Sequence, residues 1–589
     1  MKTRPTRLFV RALSVVILPA LTAAQAQDMV FTEANEEAQI STGYYPDLDG
    51  GYVNRNELTS GGVSVGDFNA DGWMDMYLPR GGTGPDQLLI NQGDGTFVDE
   101  AAAWGIDDWL FAMGSAVGDI NKDGYQDLYV VSYGEAGAEP YAGACRLYLN
   151  MGPDSEGKFR FEDIGEQAGV NYVLPVFIEG TGATFGDVDL DGNVDLVVTC
   201  WSLQNYGTRV YMNQGDNTFI DISYDAIPDT GMMRCFTPKL IDLNGDIYPE
   251  LLLTNDFHES RLYVNNGPDE KGELTFREVT DPAGITADCN GMGATVADFN
   301  GDGLLDWYMT NVFTPTADCG NTLFMHTGTD ETGMPVFEDR AEASGVKDSG
   351  WGWGTTSGDF DNDGDYDISA TNGYSQWPLV PTRMYLNDGN ANFTDAAPTA
   401  GLTELIKGHG MAHLDADNDG DLDLIIIEGE GPTRFFRNDT VSTNRWLRLN
   451  LVTRNHPCLA PMGLGTRVTA YAGETVQSQT LASPTTYLGQ SETIMHLGFG
   501  DHETIDRIDF EWADGRVTTL TGVATNQILD VEVYHPADLM QNGTIDIFDV
   551  FVMLELYNAQ DPGADFNGDG TVDTDDITRF IGEMANRCD

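Results

Sequence analysis

The sequence predicts a mainly β protein. We expect a seven-bladed β-propeller, followed by a small β-sandwich domain and a small α-helical domain with two acidic loops. An acid-rich nonapeptide recurs seven times before residue 440, and short apolar segments typical of strands flank each copy. After residue 440 the period ends, and alternating strands followed by two loop–helix segments take its place.

The nonapeptide carries side-chain oxygens at its first, third, fifth and ninth positions. We number the copies loop 1 to loop 7, and they begin at Asp67, Asp119, Asp187, Asp242, Asp298, Asp359 and Asp415. The starts are therefore 52 to 68 residues apart, which suits about four short strands with their turns.

Every loop lies in the same frame of segments. A small-residue segment precedes it, as in residues 113–118, and an apolar segment follows it, as in residues 424–427. A third segment such as RLYLN, from Arg146, leads into a turn, and a segment containing Phe ends the unit. Four strands per unit predict one propeller blade for each loop.

The seventh unit lacks its last strand. It stops after residue 439, but VFTEAN, which begins at Val30, resembles TFVDEA of the first unit, which begins at Thr96. We predict that the segment at Val30 completes the seventh unit and closes the ring, because an open array would leave unpaired sheet edges. An open solenoid of the same units is the alternative.

The loop chemistry indicates calcium. Carboxylates crowded within nine residues repel one another unless a cation neutralises them. Oxygen ligands without His or Cys suit Ca²⁺, whereas solvated turns rich in Asp, Asn and Gly are the alternative. Loop 4 should be the weakest site, because Ile247 replaces the usual Gly and Glu250 replaces the final Asp. The predicted ligands are Asp67, Asn69, Asp71, Asp75, Asp119, Asn121, Asp123, Asp127, Asp187, Asp189, Asp191, Asp195, Asp242, Asn244, Asp246, Glu250, Asp298, Asn300, Asp302, Asp306, Asp359, Asp361, Asp363, Asp367, Asp415, Asp417, Asp419 and Asp423.

These loops and their frame resemble the FG-GAP or VCBS repeats of integrin-α-like propellers. The resemblance covers residues 28–439. It implies a seven-bladed propeller in which about seven calcium ions, one per loop, are structural rather than catalytic.

Residues 445–533 form the predicted β-sandwich domain. Segments such as WLRLNLV, from Trp446, and IDRIDFEW, from Ile505, alternate apolar and polar residues. GLGTRV from Gly463, LGFG from Leu497 and WADGR from Trp512 resemble the ASPIC/UnbV domain. Together with the propeller, they resemble the cartilage acidic protein-like family. That resemblance implies a secreted acidic protein with calcium-binding and adhesion or matrix roles, and it implies no defined reaction.

Residues 538–583 contain two 12-residue acidic loops, each leading into an apolar helix, and residues 584–589 form a tail. The second loop has Gly570 at position 6, as a calcium loop requires, whereas Met540 at position 3 weakens the first. The predicted ligands are Asp538, Asn542, Asp546, Asp549, Asp565, Asn567, Asp569, Asp573 and Asp576. The pair resembles type I dockerin domains, which implies one or two further Ca²⁺ ions and attachment to a cohesin-type scaffold. Dockerin-like tails of exported proteins without a cohesin, and chance acidic loops, are the alternatives.

The charge and the N-terminus bear on location. The 589 residues include 30 Lys plus Arg against 94 Asp plus Glu, for a net charge of −64. This balance excludes phosphate-driven nucleic-acid binding and attraction to anionic membranes.

Residues 1–26 have a basic start, a short apolar run and a small-residue site ending at Ala26. We therefore predict a signal peptide cleaved near Ala26, a secreted extracellular protein and no membrane span, with a buried N-terminal helix as the alternative. Of the seven cysteines, Cys289 and Cys319 are the predicted disulfide pair.

No catalytic residue could be selected. The eight histidines are scattered, no HExxH, GxSxG or P-loop motif occurs, and His409 and His413 are expected to be structural. Trp351, Trp353 and Trp377 could stack on sugars or pack between blades. The first hypothesis is a non-catalytic, calcium-stabilised binding or adhesion protein that presents its propeller to extracellular proteins or polysaccharides. The alternative is a dockerin-bearing polysaccharide lyase or glycoside hydrolase. The sequence decides neither the ligand nor the oligomeric state.

Overall fold

Strands dominate the structure, a computed structural model that describes residues 9–12, 29–40, 61–82, 84–107, 109–134, 144–171, 178–201, 207–228, 233–286, 288–314, 319–374, 377–429 and 431–585. The protein is mainly β, and the described residues before 440 form seven units of four antiparallel strands. In units 2 and 3, Ile178–Gly186 also pairs with Asp127–Gly134, which joins the two sheets. Short helices follow four of the units, at Ala101–Trp104, Gly165–Ala168, Ser223–Ala226 and Ala341–Ser344.

From unit 1 to unit 7, the strands are Ser64–Gly66, Asp75–Leu78, Gln87–Asn91 and Phe97–Asp99; Ala112–Gly118, Asp127–Gly134, Arg146–Asn150 and Phe161–Asp163; Ile178–Gly186, Asp195–Cys200, Arg209–Asn213 and Phe219–Asp221; Cys235–Ile241, Glu250–Asn255, Arg261–Pro268 and Leu274–Glu278; Ala294–Ala297, Asp306–Met309, Thr322–Thr329 and Pro335–Asp339; Gly352–Gly358, Asp367–Asn372, Arg383–Asn387 and Phe393–Asp395; Gly408–Leu414, Asp423–Glu428, Arg434–Asn438 and Phe31–Glu33.

The N-terminal strand completes the seventh unit. Phe31–Glu33 pairs antiparallel with Arg434–Asn438, and Phe31 lies opposite Asn438. The predicted pairing is therefore confirmed. It covers the outer edge of Arg434–Asn438 with a strand from the other end of the chain, about 400 residues away in sequence.

The first strands of successive units lie side by side. Ser64 Oγ of unit 1 is 2.8 Å from Ser115 Oγ of unit 2, and Thr371, on the second strand of unit 6, donates to the His409 carbonyl on the first strand of unit 7 at 2.6 Å. Gly410 N of unit 7 donates to the Gly61 carbonyl, just before unit 1, at 3.1 Å. The seventh unit is thus a neighbour of the first. Between adjacent units lie buried apolar clusters such as the one that includes Phe299, Tyr308 and Ile368.

Two four-stranded sheets lie around a common core, and all of their strands except Phe9–Ala12 come from the region after residue 440. One sheet contains Thr475–Thr480, Arg467–Ala472, Thr504–Glu511 and Val517–Ala524, and the other contains Phe9–Ala12, Gln527–Glu532, Trp446–Val452 and Met495–Gly498, each in spatial order. Pro461–Gly463 forms a short 3₁₀ turn. Phe9–Ala12 belongs to the predicted signal peptide; the other residues of that segment, including its cleavage site, lie outside the described residues.

A hairpin from this second region reaches the first strands of the units. Its strands are Thr485–Thr486 and Gly489–Gln490, and we call residues 483–493 the plug hairpin. Gln490 N donates to the Val63 carbonyl at 2.9 Å, and Lys239 Nζ of unit 4 donates to the Thr485 carbonyl at 2.6 Å. At its tip, the Tyr487 ring lies 5.4 Å from Phe236 and 5.5 Å from Trp353, centroid to centroid. The hairpin therefore connects several units at once.

The C-terminal region contains the helices Ile547–Asn558 and Thr574–Ala585, with a 3₁₀ turn at Pro562–Ala564. Phe566 packs edge-on against Phe580, 5.3 Å between ring centroids, and both are buried with Met553. No helix in the described part of the chain is long and apolar enough to cross a membrane.

One disulfide of the described region joins Cys289 and Cys319, whose Cα atoms are 5.9 Å apart. This confirms the predicted pair. Cys458 is also disulfide-bonded, whereas Cys145 and Cys235 are buried thiols.

Candidate metal sites in the nonapeptide loops

Each nonapeptide loop connects the first strand of its unit to the second. Its last carboxylate opens the second strand and is buried in all seven loops. In loop 1, Asp75 Oδ2 accepts a hydrogen bond from Phe68 N at 3.0 Å, and Asp75 Oδ1 accepts one from Asn91 N at 2.8 Å. This carboxylate thus ties the loop to the third strand. The equivalent acceptors from the second residue of the other loops are Asp127, Asp195, Glu250, Asp306, Asp367 and Asp423.

The first Asp of each loop holds the turn. Asp67 Oδ2 accepts a hydrogen bond from Gly72 N at 2.9 Å, and the same bond recurs in the other six loops. The fifth residue then folds inward, as Asp71 Oδ1 accepts from Trp73 N at 2.9 Å. Hydrogen bonds from the backbone amides therefore orient the side-chain oxygens of a loop toward one another.

Loop 4 keeps this geometry despite its altered sequence. Ile247 N donates to Asp242 Oδ2 at 3.0 Å, and Ile247 has φ 75°, a left-handed conformation that suits Gly. A β-branched residue there stores strain. Glu250 takes the place of the final Asp, with its Oε2 2.7 Å from Leu243 N. That this loop binds calcium most weakly stays a prediction.

The loops bring several predicted ligands together. Carboxylate oxygens lie within 4.8 Å of one another in three groups: Asp187, Asp189 and Asp195; Asp359, Asp361 and Asp367; and Asp415, Asp417 and Asp419. Asp187 Oδ1 is buried and has no hydrogen-bond partner. Burial raises the pKa of Asp306 to about 8 and that of Asp189 to about 6, and the charge of Asp191 adds to the rise at Asp189.

This donor set fits a hard divalent cation. Buried carboxylates that face one another destabilise the fold when they are charged and unpaired. Oxygen donors from a flexible loop are what Ca²⁺ takes, whereas Mg²⁺ retains several waters. The residues that would hold the ion are the first, third, fifth and ninth of each loop.

The two C-terminal loops share a different pattern. In the second, Asp565 accepts from Gly570 N at 2.9 Å, and Asp576 at position 12 accepts from Phe566 N at 2.6 Å. In the first, Asp538 accepts from Gly543 N at 2.7 Å, and Asp549 accepts from Met540 N at 2.9 Å. The Met540 side chain is half exposed. Both loops therefore adopt the same turn, although the first lacks an oxygen at position 3.

An asparagine that the sequence analysis did not select connects six of the seven units to the loop of the preceding unit. Asn150 Nδ2, at the end of a third strand, donates to the Gln126 carbonyl in its own loop at 3.2 Å and to the Phe68 carbonyl in loop 1 at 2.8 Å. The signal was present in the repeated RLYLN segment. The same bond to the preceding unit is made by Asn91, Asn213, Asn265, Asn387 and Asn438. In unit 5 His326 stands at this position, and its Nδ1 is buried without a partner.

We expect Asn265→Ala to destabilise the protein by about 2–3 kcal/mol, because it leaves the buried Val188 carbonyl and the partly buried Pro249 carbonyl without their shared donor. Asn266 is the matched control, since it is the next residue on the same strand but is exposed. Asn266→Ala should change the free energy of unfolding by less than about 0.5 kcal/mol. Denaturant unfolding of both variants measures the difference, and equal effects would contradict a bridging role.

The histidines singled out in the sequence pack inside the fold. His413 Nδ1 lies 2.6 Å from Thr356 Oγ1, and burial lowers the pKa of His413 to about 3. The His409 ring lies 4.9 Å from Trp353. Trp353 is buried and donates to the Gly373 carbonyl at 2.6 Å. Trp351 contacts Trp353, Tyr374 and Trp377 and is only partly buried.

Comparison with known proteins finds family matches for the repeated units and for the region after residue 440. FG-GAP-like repeats match residues 67–130, 187–252, 242–309 and 359–426, and the ASPIC and UnbV domain matches residues 459–536. The chain carries FG-GAP-like repeats and an ASPIC/UnbV domain. All seven nonapeptide loops lie wholly within the matched FG-GAP ranges. The plug hairpin belongs to the ASPIC/UnbV match.

Cartilage acidic protein 1 is similar over most of the chain. The human protein is 23% identical over 497 residues, which cover 81% of this chain and 63% of that protein. The mouse protein is 22% identical, with 81% and 65% covered. The chain thus matches less than two thirds of the length of either. Integrin alpha-6 of Gallus gallus is 32% identical over 146 residues, which cover 23% of this chain and 12% of the integrin.

Solved structures are more distant. An Agrocybe aegerita lectin that recognises non-reducing terminal N-acetylglucosamine superimposes with a TM-score of 0.37 at 17% identity, over 70% of this chain and 95% of the lectin. The V. cholerae biofilm matrix protein Bap1 gives a TM-score of 0.23 at 11% identity, over 80% of this chain and 61% of that one. Scores this low do not support a comparison of function.

Proposed function

We propose that the chain is an exported, calcium-stabilised, non-catalytic binding or adhesion protein. Its seven units form the blades of a propeller, and a dockerin-like C-terminal region attaches it to a scaffold. The observation that carries the proposal is the sevenfold repetition of one loop geometry at the same end of each unit. Repetition of this kind suits ions that stiffen a ring, whereas a catalytic site needs one asymmetric group of residues.

The ASPIC/UnbV domain lies against the nonapeptide loops, which supports a structural role for them. Arg467 Nη2 donates to the Gly303 carbonyl of loop 5 at 2.7 Å, and Lys122 Nζ of loop 2 donates to the Pro457 carbonyl at 2.6 Å. Gln477 Nε2 donates to the Gly364 carbonyl of loop 6 at 2.5 Å. A large ligand has little access to loops that another domain covers.

The opposite ends of the strands are left to present a binding surface. Trp351 precedes the first strand of unit 6, and Trp377 follows the second, at the end remote from loop 6. Their ring centroids are 5.6 Å apart in an edge-to-face arrangement. In unit 4, Arg234 stacks over Phe257, 4.8 Å from the ring centroid, and Phe257 is 52% exposed. Partly exposed aromatic rings suit stacking on sugars and contacts with proteins.

The test is a binding and turnover panel with the full chain in the presence of calcium. We expect retention of one class of polysaccharide or extracellular matrix protein on an immobilised panel, without release of reducing ends or unsaturated products. The variant Trp351→Ala/Trp377→Ala should weaken retention about 10-fold or more, since loss of aromatic stacking is worth about 1–1.5 kcal/mol per ring.

Tyr224→Ala is the matched control, because Tyr224 is 94% exposed on the helix Ser223–Ala226, on the outer edge of unit 3. Turnover of any polysaccharide by the wild-type chain would overturn the non-catalytic proposal and favour a lyase or hydrolase. Equal retention of the two variants would show that the binding surface does not include Trp351 and Trp377.

A further inference from the structure

Loops 6 and 7 have the same ligands in sequence. Loop 6 reads DFDNDGDYD and loop 7 reads DADNDGDLD, so both carry Asp at all four ligand positions. Three carboxylates of each loop bring oxygens within 4.8 Å of one another. The loop sequences alone therefore predict two equivalent calcium sites.

The ASPIC/UnbV domain places a charged side chain against loop 7 and neutral side chains against loop 6. Arg448, on the strand Trp446–Val452, is fully buried, and its Nη1 lies 3.0 Å from Asp415 Oδ2 of loop 7. The same Nη1 donates to Asn418 Oδ1 at 2.8 Å. Among the described residues, Asp415 is the one nonapeptide carboxylate that forms an ion pair. Loop 6 instead contacts neutral side chains of this domain. His496 Nε2 lies 2.7 Å from Asn362 Oδ1, and Gln477 donates to a backbone carbonyl of loop 6.

The plug hairpin completes the arrangement around loop 7. Glu492 Oε2 lies 2.5 Å from Arg448 Nη2, and it also accepts from Asp415 N at 3.2 Å. Both carboxylates and the guanidinium are buried. Trp446 covers the turn, because a Cβ added to Gly420 would lie 1.9 Å from Trp446 Cε2. One strand and one hairpin of the second domain therefore cover Asp415 and the turn of loop 7, whereas Asp419 stays exposed.

We propose that Arg448, rather than calcium, binds the first carboxylate of loop 7, which serves as the receptor by which the ASPIC/UnbV domain docks on the propeller. Arg448 competes with a divalent ion for Asp415, because its Nη1 already contacts Oδ2 of that carboxylate, and Glu492 offsets the charge of the guanidinium. The guanidinium fits a carboxylate and an amide oxygen at once. The inference rests on the proposed calcium binding of the other loops, and it assigns loop 7 a different role from that of loop 6.

The first test counts bound calcium. The full chain is saturated with calcium and gel-filtered, and the bound metal is measured by elemental analysis. We expect Asp359→Asn in loop 6 to lose one calcium per chain and Asp415→Asn in loop 7 to lose none. Loss of one calcium from both variants would overturn the inference.

The second test removes the cation without leaving a lone buried charge. Arg448→Met/Glu492→Gln should gain one calcium per chain, because loop 7 then resembles loop 6. Arg467→Met is the matched control, since Arg467 donates to a loop backbone carbonyl, and it should leave the count unchanged. An unchanged count in the double variant would contradict the inference.

A third measurement does not depend on calcium. In excess chelator, Asp415→Asn should melt at least 3 °C below Asp359→Asn, because only Asp415 loses an ion pair. Each Asp otherwise accepts the same two loop amides, and Asp359 also accepts a long hydrogen bond from Gln477 Nε2 at 3.4 Å. Equal melting temperatures would overturn the inference even if a variant failed to bind any metal. Wild-type protein that binds no calcium at all would instead contradict the proposed function, and this third measurement would still decide the role of Arg448.

Discussion

Excess chelator lowers the melting temperature of the full chain by about 10 °C or more, because each tight ion contributes about 2.7 kcal/mol at 100 times its dissociation constant. The cause is the set of buried carboxylates in the nonapeptide loops. Asp127 and Asp195, for instance, are buried at the start of second strands, next to other acids of the same loop. Without a cation, either these groups repel one another or they take up protons.

Differential scanning calorimetry of the full chain, with and without chelator at matched ionic strength, measures this shift. Addition of calcium in excess over the chelator is the control and should restore the original curve. Magnesium should restore less, because it gives up its waters reluctantly. Superimposable curves with and without chelator would refute structural calcium in the nonapeptide loops.

Tyr487→Ala destabilises the protein by about 3–5 kcal/mol, the usual range for removing a large buried aromatic side chain. Tyr487 is fully buried at the tip of the plug hairpin, between Phe236 of unit 4 and Trp353 of unit 6. We also expect the variant to unfold in two steps, because the hairpin connects the ASPIC/UnbV domain to the strands of several units.

Thermal unfolding followed by intrinsic tryptophan fluorescence and by calorimetry measures both effects. Tyr224→Ala removes the same atoms from an exposed site and should change stability by less than about 0.5 kcal/mol. A single transition at the wild-type temperature in Tyr487→Ala would show that the tip does not hold the domains together.

The repeat determined much of the fold in advance. Loop and strand alternate with a regular spacing, so unit boundaries and the seven loop positions could be read directly. The segment at Val30 could be placed beside Arg434–Asn438 because its Phe-containing pattern supplied the strand that the seventh unit lacked. The pairing of Cys289 with Cys319 followed from their place in one repeat.

The plug hairpin could not be predicted in this way. Residues 483–493 contain no alternation of apolar and polar residues, since the hairpin is surrounded by other strands rather than lying half in solvent. Its partners include Val63 and Lys239, more than 200 residues earlier in the chain. The asparagines that join neighbouring units were also missed, because they recur at the end of each RLYLN-type segment but nothing in that segment shows that their partner lies in the preceding unit.

The sequence by itself determined which side-chain oxygens stand at the four predicted ligand positions of every nonapeptide loop, because they recur at the same offsets. It made loops 6 and 7 equivalent. Only the tertiary structure separates them, because Arg448 and Glu492 reach Asp415 from a different domain. The charge next to a loop depends on which side chain from a distant part of the chain the fold places there. The nine residues of the loop contain no information about that side chain.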